Sequence, residues 1–447
     1  MWREAQDAHG NSNTRMTTPG KLPVTFFILA LILFRIFLGI QVNFSHEDYT
    51  QVYLIGLEHA FSGHWSYWGP DVVWSNTRLP GALLGFLAGM PLSLTLNEYA
   101  PIILSNIISG AGLILLSFYA KQRFPKLSIY FLLALFLLSP FMLFNGVVLL
   151  NTAYLLFSGA ILFMVVFELF VYRDDVLWPP HFNFLALGFS LLFTFQLHLS
   201  WVMFIPFVFV LFYREWRTHP SHGWKYLSYF TAGCILSGLT LLPTLFKYSH
   251  VILIGSGGNV NIHWSRVTSI VDLFVRYTGI ATLDVNQKLN FIHLLSTQGW
   301  MGTGLIWTMK LFSLIQFIGF SVSFYFMQKS PEFRKSVLLF FLSLLMALGL
   351  YILSNKHLEM RTYILLYPIP LWLALFAYSY LMDFRFIKSI LYVALVLLWV
   401  TSLGIAVSNF KGMYSFSSVE TKIEKAIQDK NPEEFAIRRK TLMDHYH

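Results

Sequence analysis

Apolar residues fall in unbroken runs of about twenty along nearly the whole chain, separated by short polar stretches. At about 1.5 Å per residue, such a run crosses a hydrocarbon core about 30 Å thick, so each predicts a spanning helix. The runs are Leu22–Val42, Ala100–Ala120, Leu127–Phe144, Val147–Val171, Tyr226–Phe246, Gly304–Met327, Ser336–Ser354, Tyr363–Met382 and Ser389–Ser408. A further run, Asn183–Tyr213, is too long for one straight crossing and is interrupted by Gln196, His198 and Ser200. It predicts two short helices meeting near His198. Leu79–Leu94 is short and carries Pro80, Gly81, Gly85, Gly89 and Pro91, which favours a juxtamembrane or re-entrant helix over a full span. The pattern predicts an all-α polytopic membrane protein: a bundle of about eleven transmembrane helices, with juxtamembrane helices in the first outer loop. A spanning barrel would show short alternating segments instead.

Composition agrees with this class. The chain is 56% hydrophobic and 12% charged, against about 25% charged in a soluble domain. The formal charge of +9 sits mostly in short loops, where it sets topology and is no nucleic-acid signal. Lys121/Arg123/Lys126, Arg214/Arg217/Lys225, Lys329/Arg334/Lys335 and Arg385/Lys388 form four compact basic loops, all placed in the cytoplasm. That puts the N-terminus inside and the C-terminus outside. It also keeps Leu79–Leu94 from crossing, because a crossing there would move Lys121–Lys126 outside. The loop Tyr172–Asn183 dissents, with Arg173 beside Asp174 and Asp175, but acidic residues influence orientation little. The chain divides into a cytoplasmic segment (1–21), a transmembrane module (22–408) with outer loops at 43–99 and 247–303, and a short non-cytoplasmic tail (409–447). The first run is too long for a signal-peptide core and lacks a small-x-small cleavage site, so it reads as an uncleaved helix. One cysteine, Cys234, excludes an intrachain disulfide and a cysteine metal cluster.

The residues that look chemical collect on the outer side. The first helix delivers the chain onto Ser45-His46-Glu47-Asp48-Tyr49. A carboxylate held there, Asp48, can take a proton from a hydroxyl, with Glu47 and Asp71 as assisting acids; a merely solvated helix end is the plainer alternative. Arg78, ahead of Pro80-Gly81, matches phosphate geometry and keeps its charge at any relevant pH, or it snorkels at the interface. Lys356, His357, Arg361 and Tyr363 form a second basic cluster where an outer loop re-enters the membrane, and Lys310 is an ionisable residue within a span. Arg35 and Glu168 read as mainly structural. Gln196, His198 and Ser200 either glue helices or line a wet cavity. Trp65, Tyr67, Trp68 and Trp74 can stack on sugar rings, but interfacial belts favour the same residues. Gly255-Ser256-Gly257-Gly258 lacks the Lys-Ser/Thr of a phosphate loop, and neither a His-Glu-x-x-His helix nor a Gly-x-Ser-x-Gly elbow occurs.

Four local patterns together resemble the GT-C superfamily of integral-membrane glycosyltransferases, which includes bacterial aminoarabinose transferases of lipid A and protein O-mannosyltransferases. They are the acid after the first helix followed by Ser62-Gly63-His64-Trp65, the segment Arg78-Leu79-Pro80-Gly81-Ala82-Leu83-Leu84, the break Gln196-Leu197-His198-Leu199-Ser200, and Arg361-Thr362-Tyr363-Ile364-Leu365-Leu366-Tyr367-Pro368. The resemblance covers the layout from Leu22 to Met382. It implies a polyprenyl-phosphate sugar as donor substrate with no separate cofactor, a lipid, glycan or protein acceptor, and a bacterial inner membrane with the site on its outer face. Asp48 would be the general base, and Arg78 and Arg361 would hold the lipid phosphate. Two departures stand out: many relatives have Asp-Glu where this chain has Asp48-Tyr49, and an acid that some carry before the Pro-rich segment is replaced by Arg78-Leu79. The rivals are a transporter or flippase of a lipid-linked sugar, a lipid-linked glycan polymerase or ligase using His263, Arg266, Arg276 and His293 of the loop 247–303, and a non-catalytic scaffold.

Overall fold

A first apolar helix, α1 (Lys21–Val42), opens the computed structural model, which describes residues 21–42, 47–62, 67–71, 78–95, 97, 99–253, 262–278, 300–328, 330–353, 364–384, 388–390, 392–397 and 399–400. After it come α2 (Glu47–Ser62), strands β1 (Trp68–Asp71) and β2 (Arg78–Pro80), α3 (Leu83–Thr95), α4 (Ala100–Arg123), α5 (Ile129–Leu138), α6 (Pro140–Gly146) and α7 (Asn151–Phe170). The second half holds α8 (Pro180–Phe195), α9 (Ile205–Thr218), α10 (Pro220–Gly238), α11 (Leu242–Leu253), α12 (Ile270–Thr278), α13 (Trp300–Met327), α14 (Pro331–Leu353) and α15 (Pro368–Leu381). Among the described residues, eight helical segments are long and apolar enough to cross a membrane: Lys21–Ile40, Ala100–Arg123, Asn151–Phe170, Leu199–Thr218, Pro220–Tyr248, Ile306–Met327, Pro331–Leu353 and Ile364–Leu381. The chain is a helical, multi-pass membrane protein.

Several expected boundaries move, each for a physical reason. Leu127–Phe144 is not one helix: it breaks at Ser139, which precedes Pro140 and takes the extended conformation that the proline ring imposes on its neighbour. The carbonyls freed at this break are covered by Arg35 of α1, whose Nη1 donates to Leu137 O at 2.8 Å and Met142 O at 3.5 Å. Its Nη2 donates to Ser109 Oγ at 3.3 Å. A cation at the end of α5 also meets the negative end of that helix's dipole, so the structural account of Arg35 holds. The next helix begins at Asn151, not Val147, and the buried Gly146 and Val147 carbonyls accept from Ser109 Oγ (3.1 Å) and Asn106 Nδ2 (2.9 Å). The expected split near His198 is present, with α8 ending at Phe195 and a 3₁₀ turn, Leu199–Phe204, leading into α9.

The first loop is more ordered than its aromatic-polar composition suggests. It holds α2, the two-stranded antiparallel pair β1–β2, and α3, so the bundle carries one small hairpin. At 16 and 13 residues, α2 and α3 are short, and they pack through small residues. A Cβ on Gly89 would lie 2.5 Å from Gly56 O, and one on Gly56 would lie 2.8 Å from Ala88 Cβ. Such close backbone approach needs glycine at the crossing. The expected aqueous loop 247–303 also contains structure: α11 runs to Leu253, and residues 264–278 form a 3₁₀ turn and α12 against α14. Within Ser389–Ser408 only 389–390, 392–397 and 399–400 are described, all helical, and the tail lies outside the described residues.

Trp372, fully buried on α15, ties three helices together. It stacks on Tyr119 (centroids 5.1 Å apart), meets Phe163 and Phe167 edge-on, and donates to Tyr172 Oη at 3.1 Å. Beside it Glu168, also fully buried, accepts from Tyr119 Oη (2.7 Å), Arg123 Nη2 (2.5 Å) and the Leu177 amide (2.6 Å). With three charge-assisted bonds, this carboxylate locks one end of the bundle, in line with its structural assignment.

Candidate functional site

The site is built where the hairpin meets the break between α8 and α9. Gln196 follows α8 and is wholly buried, yet both ends of its amide are used. Nε2 donates to Ser237 O at 2.9 Å, and Oε1 accepts from Thr240 Oγ1 at 2.7 Å. The Pro80-Gly81 turn lies directly on this amide. Gly81 has φ +115°, a conformation few residues other than glycine adopt, and a Cβ there would sit 2.4 Å from Gln196 Oε1. The Gly81 amide donates to Tyr67 O (3.0 Å), Thr244 Oγ1 donates to the same carbonyl (2.6 Å), and the Ala82 amide donates to Thr240 O (3.0 Å). Of the two roles open to the polar break, Gln196 therefore takes the gluing one.

His198 caps the 3₁₀ turn. Its Nδ1 accepts from the Ser200 amide (3.1 Å) and lies 2.8 Å from Ser200 Oγ. An Nδ1 that accepts an N–H must be unprotonated, so the neutral imidazole carries its proton on Nε2. Asn151, at the start of α7, donates to Leu197 O at 2.8 Å and pins the break to the bundle.

The hairpin register sets Asp71 opposite Arg78 at the ends of β1 and β2. Asp48 and Glu47 occupy the first turn of α2. From Asp48 to Ser62, where the chain leaves for the hairpin, the axis of α2 runs about 21 Å at 1.5 Å per residue. The two helices and the hairpin make a strap. At one end it is fastened to Thr240 and Thr244, and at the other it reaches α4, just ahead of which the Asn97 side chain accepts the Tyr99 amide at 2.9 Å. Lys310 lies on the exposed side of α13 with its ammonium 4.8 Å from the Trp307 ring, the posture of a cation reaching along a helix toward an interface. Lys356, His357, Arg361 and Tyr363 lie outside the described residues.

At the hairpin, Tyr67 and Trp68 join two residues that had no place among the expected ones, Lys247 and Tyr248. Lys247 on α11 holds its ammonium 4.3 Å from the Tyr67 ring and 5.5 Å from the Tyr248 ring. Tyr248 in turn packs against Tyr67 (5.3 Å) and Trp68 (5.4 Å). Tyr248 has non-helical angles (φ −128°, ψ 26°), which kink α11 beside the hairpin. One signal was there to be read: Ser237, Thr240 and Thr244 recur at three- and four-residue spacing through an otherwise apolar span, the mark of a helix face with a polar partner. A cation backed by aromatic rings suits an anionic group on a ring-bearing or apolar molecule. No family model, no curated protein and no solved structure matches the chain.

Proposed function

We propose that the protein is a GT-C type glycosyltransferase of about eleven spans, moving a sugar from a polyprenyl-phosphate donor to a lipid, glycan or protein acceptor on the outer face of a bacterial inner membrane. The observation that carries this reading is the strap. Glu47 and Asp48 stand in the first turn of α2, while Asp71, Arg78, His198 and Lys247 gather about the hairpin at the other end of that helix, about 21 Å along its axis. Asp48 takes the proton of the acceptor hydroxyl as that oxygen bonds to the anomeric carbon. The anomeric C–O bond to phosphate breaks, and polyprenyl phosphate leaves with the electron pair. Arg361 stabilises the charge gathering on the leaving phosphate, a form of preorganised electrostatics that is commonly the largest catalytic contribution; Arg78 and Lys247, at the far end of α2 from Asp48, are left to bind another part of the donor or acceptor. The lipid-linked sugar is itself the substrate, and no cofactor enters the scheme.

The test incubates purified protein with a panel of polyprenyl-phosphate sugars and a membrane-lipid extract, and follows release of polyprenyl phosphate. Asp48→Asn is expected to slow release by about 10²–10⁴-fold, the range for loss of a general base. Equal release by both proteins would remove Asp48 from that role. Tight donor binding without release would favour the lipid-linked-sugar transporter, a reading supported by the helix interruptions at Ser139 and at Gln196–His198. The polymerase or ligase alternative relies on cations of the loop 247–303. Two of these are engaged within the protein: Arg266 Nη1 donates to Tyr351 O at 2.9 Å, and Arg276 pairs with Asp272 at 2.9 Å.

A further inference from the structure

Residues 262–278 belong to a stretch whose polarity places it in an aqueous loop, yet their contacts run down the side of a spanning helix. At the start, the His263 amide donates to Ile352 O (2.9 Å) and Arg266 reaches Tyr351 O (2.9 Å), both at the end of α14. Farther along, Phe274 meets Phe340 (5.9 Å) and Phe320 (6.1 Å), and Tyr277 stacks on Phe340 (5.2 Å, 11° between planes). The Tyr277 hydroxyl lies 2.7 Å from Ser343 Oγ and donates to Leu366 O at 2.9 Å. From Ile352 to Ser343 is nine residues of α14, or about 14 Å along its axis. The segment thus descends antiparallel to α14 toward the middle of a span that the Pro331–Leu353 helix is long enough to make.

Its side chains sort into three rows. Ile270, Leu273, Phe274 and Tyr277 face the bundle. Trp264, Val267, Val271 and Val275 form an exposed apolar row, 71%, 40%, 69% and 41% accessible. Beside them Ser265, Thr268, Asp272 and Arg276 form a row polar at every position, with Asp272 and Arg276 ion-paired at 2.9 Å. The helix packs against α13, α14 and α15, of which α13 and α14 expose apolar side chains of their own, Trp307, Leu311 and Leu314 on the one and Leu338, Phe341 and Leu345 on the other. The polar row has the opposite need. An ion pair with a 61% accessible carboxylate, reaching from just above Tyr277 to a turn or so higher on the same helix, is tolerable within the span only where water reaches it.

We infer that residues 262–278 re-enter the membrane as a half-depth helix with two environments, lipid acyl chains along Val267, Val271 and Val275, and a water-filled vestibule along Thr268, Asp272 and Arg276. The inference is independent of the transferase reading. It gives polar molecules a wet path about 14 Å deep beside the Tyr277 anchor, and gives an amphiphile a polar flank and an apolar flank side by side.

The test uses the full chain in proteoliposomes. In a Cys234→Ala background, single cysteines at Val271, Val275, Thr268 and Asp272 carry a nitroxide, and relaxation by oxygen is compared with relaxation by a water-soluble nickel chelate. Thr268→Cys and Asp272→Cys are expected to be relaxed by the chelate at least threefold more than Val271→Cys and Val275→Cys, with the order reversed for oxygen. Equal chelate access at all four sites would mean an aqueous loop and would overturn the inference. Chelate exclusion at all four would overturn the vestibule, and exclusion of both reagents from the valine sites would overturn the lipid contact. Thr268 preserves the ion pair, so it reports on the polar row even if Asp272→Cys fails to fold.

Discussion

Gly81 offers the sharpest test of how the strap is fastened. Replacing it with alanine brings two penalties. The first is conformational: φ +115° is open to glycine and strained for a residue with a Cβ, at about 1–3 kcal/mol. The second is steric: the new Cβ would stand 2.4 Å from Gln196 Oε1 and 2.9 Å from its Cγ, so the amide must move. Moving it sacrifices the bonds to Thr240 and Ser237, at about 1 kcal/mol each. Together these come to about 3–5 kcal/mol. Gly349, within α14, has nothing within 4 Å of an added Cβ, and alanine there gains about 0.5–1 kcal/mol of helix stability. Thermal unfolding of both variants in detergent should show Gly81→Ala melting several degrees below the wild type, at about 2 °C per kcal/mol, with Gly349→Ala unchanged or higher. Repeating the Gly81 change in a Gln196→Ala background separates the two penalties, because only the backbone cost survives there. If Gly81→Ala melts with the wild type, or costs the same in both backgrounds, the hairpin does not dock through this contact.

Two other substitutions probe the bundle. Glu168→Gln keeps the shape of the side chain but removes one of the two carboxylates on Arg123, leaving Asp175 at 2.9 Å; it should destabilise by about 1–3 kcal/mol, the cost of weakening hydrogen bonds to a charged group. An unchanged melting temperature would show that the pair carries no net stability. Trp372→Ala, at a fully buried position, should lose about 3–5 kcal/mol, whereas Trp224→Ala, 67% exposed, should change the same melt by less than about 0.5 kcal/mol.

The class of the fold was legible because hydrocarbon thickness leaves few solutions for twenty apolar residues in a row. The polar interruption at Gln196–Ser200 was legible for the same reason, since three hydrogen-bonding side chains inside an apolar run must find partners. The break at Ser139 was harder to see, because Ser139-Pro140 sits in a run whose hydropathy never falls and the covering cation, Arg35, lies 102 residues away in sequence from the Leu137 carbonyl it caps. Helix α2 was hidden by composition: Gln51, Glu58 and His59 give it the polarity of a loop, while Val52, Tyr53, Leu54 and Leu57 are buried. Residues 262–278 misled by the same route, with a polar row masking an apolar one. At the site, the residue types in the hairpin and the break could be named from sequence. Lys247 could not, because its meaning comes from Tyr67, some 180 positions earlier.

The interruptions also obey a common logic. A carbonyl released inside a membrane protein and facing neither water nor a wet cavity must be taken up by another element. Ser139 illustrates this twice over, because Arg35 covers the nearby carbonyls and the Ser139 hydroxyl itself lies 2.8 Å from Tyr367 Oη. Tyr367, just ahead of α15, also stacks on Phe141 at 4.8 Å, so the break is braced from the last described span as well. Tyr277 then reaches Leu366 O at the same place. Breaks therefore coincide with tertiary contacts, and these are the positions where one substitution should be felt on several helices at once. The hairpin differs. Its described polar attachments to the bundle run through Thr240 and Thr244, with Gln196 packed beneath the turn. Because the same Gln196 amide closes the helix break and carries the turn, a substitution at Gly81 or at Gln196 should be felt in both the strap and the bundle.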